Sequence, residues 1–101
     1  MGCPVNKVIK SGSGSALLKE PQKIFEIIKS LKETIKKPIS IKIRAGWDHD
    51  SINCDEVVRL AESAGVDAIA IHARTRSMMY RGNANIEFIK KARSATNCFL
   101  I

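Results

Sequence analysis

From Pro21 onward the apolar residues Ile24, Phe25, Ile27, Ile28, Leu31 and Ile35 recur with lysines and glutamates between them. That spacing gives a helix one apolar stripe and predicts a helix running to about Lys36. Pro21 suits the first turn, where a missing N–H leaves no bond unmade. Pro38 stops the pattern, and Ile39 to Arg44 then alternates Ile-Ser-Ile-Lys-Ile-Arg, the period of a strand. Asn53, with Glu56 three residues later, predicts a capping box for a second helix that carries Val57, Leu60, Ala61 and Ala64 and ends at Gly65. Val66 to Ile71 has the length and character of a strand, Asn85 is placed to cap a third helix carrying Ile86, Ile89 and Ala92, and Cys98 to Ile101 begins another strand. The order loop, helix, strand, helix, strand, helix, strand calls for an α/β fold with a parallel sheet and crossover helices. A closed barrel and an open sheet both satisfy it.

Composition narrows the partners only a little. The chain has 101 residues, with 17 Lys+Arg against 10 Asp+Glu and a formal net charge of +7, which favours polyanions. Lys29, Lys32, Lys36 and Lys37 serve equally well as the solvated face of the first helix. An aromatic content of 5% argues against a stacking platform for single-stranded nucleic acid. Three cysteines with no paired spacing point to free thiols in a reducing compartment, so the cytoplasm is expected. No apolar run reaches the ~18 residues of a membrane span, and no secretory leader pattern is present. The terminal Cys-Phe-Leu-Ile fits a prenylation format, yet the same residues fit a strand that follows directly on a helix.

The chemistry-bearing residues fall at the ends of strands. Parallel strands are normally apolar on both faces, so Lys42 and Arg44, on the face opposite Ile41 and Ile43, need a reason. If the isoleucines meet the helices, both cations face a barrel interior near the strand's carboxyl end, where such barrels keep their active sites. The alternative is an exposed sheet edge guarded by charge. His72 follows the apolar run Val66 to Ile71, again at a carboxyl end, where a histidine serves as a ligand contact or simply as a hydrogen-bonded residue. Arg74, Arg76 and Arg81 lie in the loop beyond with Tyr80; guanidinium groups suit phosphate. The loop Ser11 to Ser15 would let backbone N–H groups approach an anion, but it lacks a P-loop ending and does not follow a strand. Cys3, Cys54, Cys98, His49 and His72 show no metal-ligand spacing, and no metal is expected. Cys3 precedes Pro4, which stiffens the turn that presents its thiol.

Gly2, Cys3, Pro4, Gly14 and Ser15-Ala16-Leu17-Leu18 resemble the signature of the tRNA-dihydrouridine synthases, where Asn-x-Gly-Cys-Pro precedes a Gly-Ser/Ala segment. Two further blocks match: IKIRAGWD at 41 to 48, and IHARTR at 71 to 76 followed by Tyr80 and Gly82. The family are flavoproteins that use FMN and NADPH to reduce particular uridines of tRNA. The resemblance implies a partial TIM barrel, with residues 1 to 101 as the middle of the FMN-binding catalytic domain. A complete barrel needs ~250 residues, and the family's asparagine and preceding strand would lie before Met1, so the chain is expected to be a piece. The family's separate helical tRNA-binding domain, which governs the choice of uridine, is not among these residues.

By the same resemblance Cys3 gives the proton while reduced flavin gives the hydride, Lys42 and His72 contact FMN, and Arg44 reaches the uracil. A thiol suits the acid's role because its ordinary pKa of ~8.5 keeps it mostly protonated at neutral pH. Arg76 and Arg81 are the candidates for tRNA backbone contact, and tRNA and NADPH are the implied partners. The FMN phosphate would be held by loops after later strands. Ser77 and Met78 depart from the acidic residue and glutamine usual in the family. Three alternatives stay open: a non-catalytic basic RNA-binding fragment; another FMN-dependent barrel oxidoreductase, such as a dehydrogenase of pyrimidines or dienes; and a chain with no stable fold.

Overall fold

The computed structural model describes residues 1 to 101. A short helix α1 (Asn6–Ile9) and a 3-10 helix (Gly14–Lys19) precede α2 (Pro21–Thr34), β1 (Ser40–Arg44), α3 (Cys54–Ser63), β2 (Ala68–His72), α4 (Ile86–Arg93) and β3 (Phe99–Leu100). The strands form one parallel sheet in the order β1-β2-β3. Strands and helices alternate as the apolar spacing predicts, and the short α1 and the 3-10 helix are the two elements that spacing did not show.

The alternation in β1 places Ile41 and Ile43 in a core with Ile69 of β2, Ile24 and Ile28 of α2, and Val57, Val58 and Ala61 of α3. Burying such side chains contributes about 1.5 to 3 kcal/mol each, so this layer holds helices to sheet. The stripe on α2 is narrower than its sequence implies: Ile24 and Ile28 are buried, whereas Ile27, Leu31 and Ile35 keep more than a third of their surface exposed. The helix ends at Thr34 and not Lys36, because Ile35 is already extended at φ −112° and ψ 120°. Beyond it Asp67 secures the start of β1, its carboxylate accepting from the Ile39 N–H at 2.7 Å and from Lys32 Nζ at 3.0 Å.

The helix ends test the capping expectations. Asn85 caps α4 with its side-chain oxygen accepting from Glu87 N–H at 3.0 Å, as expected. Gly65 ends α3 at φ +91°, the left-handed backbone that favours glycine. The Asn53–Glu56 capping box does not form. The Asn53 amide instead donates to the Leu18 carbonyl at 2.8 Å, so a tertiary bond takes the side chain that the local motif would use. Ile86, expected to face the core from α4, is exposed; Ala92 is buried as expected, and Phe88 packs against the core instead of Ile86.

Candidate active site

The Cys3 segment is held by the glycine-serine loop twelve residues on. Ser15, fully buried, donates to the Cys3 carbonyl twice, through its backbone N–H at 2.9 Å and through Oγ at 2.8 Å. Gly14 makes that approach feasible: its φ is +60°, and a Cβ there would stand 2.6 Å from the Cys3 carbonyl oxygen and 2.9 Å from Val8. Pro4 is buried while Cys3 itself is exposed. The loop's donors at Ser15 are thus spent on positioning a thiol.

The same segment lies along β1. A Cβ on Gly2 would meet the Ile43 carbonyl carbon at 3.2 Å and the Lys42 carbonyl oxygen at 3.4 Å. Arg44 ties it down from the strand's end. Its Nε donates to the Gly2 carbonyl at 3.2 Å, and Nη1 donates to the carbonyls of Thr75 at 2.8 Å and Met79 at 2.7 Å. Only 3% of Arg44 is exposed. Burial lowers its pKa, Tyr80 opposes that and Arg74 adds to it, yet a guanidinium stays charged in a folded protein. The three carbonyls come from two segments far apart in sequence, so one side chain joins the Cys3 segment to the loop after β2.

Parallel pairing sets the rest. Arg44 is in register with His72, and Lys42 with Ala70, so the face opposite the core presents Lys42, Arg44 and His72 at or near the carboxyl ends of neighbouring strands. The two cations of β1 differ: Lys42 is exposed and Arg44 is buried. β1 is an edge of this sheet, as the charge-guarded alternative requires, but a guard would not be buried against three carbonyls. The pKa of His72 is lowered, first by burial and then by the charges of Arg44, Arg74 and Lys42, so the ring is neutral at pH 7. Tyr80 closes this corner, its ring centroid 6.5 Å from that of His72 and 5.5 Å from the Arg44 guanidinium carbon.

A cavity of about 520 Å³ opens here, lined by residues 1 to 5 together with Lys42, Ile43, Arg44, His72 and Tyr80. Cys3, Lys42, Arg44 and His72, named from sequence, therefore share one space. Arg76 and Arg81 do not line it. Arg76 Nη2 donates to Asn6 Oδ1 at 2.7 Å and its guanidinium carbon lies 4.6 Å from the centre of the Trp47 ring, while the side chain of Arg81 is exposed. Sequence reasoning gave no role to Tyr80 or to Ser15 as a clasp, and it offered Arg74 only as a guanidinium suited to phosphate, whereas its partners in the fold are His72 and the Gly82 carbonyl. No group of three or more His, Cys, Asp or Glu side chains is placed to hold a metal ion, and no helix is long and apolar enough to cross a membrane.

Comparison with known proteins assigns the family. The family model described as dihydrouridine synthase (Dus) matches residues 1 to 101. The tRNA-dihydrouridine synthase B of Vibrio cholerae is 43% identical over 97 residues, which is 96% of this chain and 30% of that protein. That of Pseudomonas aeruginosa is 41% identical over 97 residues, 96% of this chain and 29% of that protein. A probable tRNA-dihydrouridine synthase of Rickettsia conorii is 40% identical over 94 residues, covering 93% of this chain and 28% of its own length. The chain thus spans about 30% of the length of these relatives. With the match running from end to end, and with the cysteine, lysine, arginine and histidine of the motifs gathered around one cavity, this chain belongs to the dihydrouridine synthase family.

Proposed function

We propose that the chain carries the central βα units of a TIM-barrel catalytic domain that reduces uridine in tRNA to 5,6-dihydrouridine. The observation that carries this reading is the convergence of Cys3, Lys42, Arg44 and His72 on one cavity at the carboxyl ends of parallel strands. The cavity's chemistry fits FMN. Its lining contains an ammonium, a guanidinium, a neutral imidazole and a thiol, and no carboxylate, so it offers donors to the carbonyl-rich ring of a flavin. Lys42 and His72 would hold that ring, with the phosphate held elsewhere in the barrel. Bound there and reduced by NADPH, FMN supplies a hydride to one carbon of the uracil double bond.

The chain's own residues do the rest. Cys3, exposed on a segment clasped by Ser15, donates the proton to the other carbon. Arg44 spends Nε and Nη1 on carbonyls, leaving Nη2 to donate to a uracil oxygen. Arg76 and Arg81, outside the cavity, face the tRNA backbone, in keeping with a net charge of +7. The same reading places the chain in the cytoplasm, where its three free cysteines stay reduced.

The test is to incubate the chain with FMN, NADPH and tRNA lacking the modification, then digest the tRNA and count dihydrouridine. The reading predicts product that Cys3→Ala abolishes. Bound flavin and bound tRNA with no product would instead favour a non-catalytic RNA-binding role.

A further inference from the structure

His72 makes one side-chain hydrogen bond, between Nε2 and Arg74 Nη1 at 3.2 Å, and none through Nδ1. A guanidinium has only donors and does not lose its proton in a protein. The shared proton therefore belongs to Arg74, and Nε2 must accept with its lone pair. A neutral imidazole has a single N–H, which leaves that proton on Nδ1. The ring's charged neighbours are Arg44, Arg74 and Lys42, all cationic, and they favour the neutral form on which this logic depends.

Arg74 is itself anchored. Its Nη2 donates to the Gly82 carbonyl at 2.8 Å, and Gly82 has a φ of +65°, a conformation few other residues adopt without strain. We propose that Arg74 is a positioning residue that locks neutral His72 as the Nδ1–H tautomer, so that the ring offers a donor, and no acceptor, to the occupant of the cavity. With the ammonium of Lys42 and Nη2 of Arg44, this selects a ligand edge built of carbonyl oxygens or other acceptors and rejects one that presents N–H groups. That consequence rests on the flavin reading above; the tautomer itself does not.

The experiment is long-range proton–nitrogen NMR on chain with 15N-labelled histidine, recorded where the rings are neutral. His49, exposed and without a hydrogen bond through its ring, is the internal control, assigned with His49→Gln. The proposal predicts His72 predominantly as Nδ1–H and His49 in the Nε2–H form that a free imidazole prefers. Arg74→Ala should turn His72 to mainly Nε2–H, and Arg74→Lys, which still donates, should keep Nδ1–H. Wild-type His72 found as Nε2–H would overturn the proposal, even if Arg74→Ala does not fold. So would an unchanged tautomer in a folded Arg74→Ala. FMN added to the same samples separates the two readings: no binding with Nδ1–H intact removes the flavin assignment alone, and binding with Nε2–H removes the tautomer proposal alone.

Discussion

Replacing Gly14 by alanine should damage the site far more than replacing Gly12, although both glycines have left-handed backbone, at φ +60° and +76°. An alanine in that conformation costs about 1 to 2 kcal/mol, and for Gly12→Ala that is the whole effect, since nothing lies within 4 Å of its new Cβ. At Gly14 the Cβ would be 2.6 Å from the Cys3 carbonyl oxygen, a backbone atom with no freedom to swing aside. The Cys3 segment must move, and the two Ser15 bonds to that oxygen go with it. At about 0.5 to 1.5 kcal/mol per bond, the total for Gly14→Ala is about 2 to 5 kcal/mol. Urea denaturation of both variants reads the difference, which at a slope of about 1 to 3 kcal/mol per molar separates their midpoints by roughly 1 M. Hydrogen exchange at the Ser15 amide gives the local reading: protection persists in Gly12→Ala and is lost in Gly14→Ala. Equal midpoints together with equal Ser15 protection would refute the claim that this loop exists to hold Cys3.

Three further outcomes follow from the packing. Hydrogen bonds from the Ile39 N–H, and then from Lys32, hold the Asp67 carboxyl below its ordinary pKa, so its contribution to stability is complete above about pH 4 and is lost as pH falls through the lowered value; in acid titrations followed by circular dichroism, Asp67→Asn should flatten this part of the profile. Ile69→Ala, at a fully buried position, should cost about 2 to 5 kcal/mol in thermal or urea unfolding, whereas Ile86→Ala, at a position 57% exposed, should stay within about 0.5 kcal/mol. Arg44→Lys keeps the charge but not the fork that reaches three carbonyls, and should lose about 1 to 3 kcal/mol while exposing residues 1 to 13 to limited proteolysis.

What the sequence revealed followed from periodicity and from residues with one dominant use. Alternation in Ser40–Arg44 gave both the strand and the shared face of Lys42 and Arg44, and Gly65 and Asn85 ended and began helices as their backbone and side-chain chemistry dictate. Hidden from it were the choices made by tertiary partners. Asn53 has the right spacing for a capping box, but the Leu18 carbonyl, brought near by the 3-10 helix, takes its amide. Period two puts Lys42 and Arg44 on one face without saying that Gly2, Thr75 and Met79 would turn carbonyls toward Arg44 alone. Ser11 to Ser15 looks like an anion loop until Cys3 is folded against it. Resemblance singled out the roles of Cys3, Lys42, Arg44 and His72; the contacts by which Ser15, Arg74 and Tyr80 support them arise only in the folded chain.

The central claim is that Cys3, Lys42, Arg44 and His72 surround a flavin site, and the most direct test is titration of FMN into the purified chain while following quenching of flavin fluorescence. The account predicts saturable quenching that Lys42→Ala weakens and that Lys29→Ala, on the exposed face of α2, leaves unchanged. Absence of quenching by a chain shown to be folded, or quenching indifferent to Lys42, would contradict it.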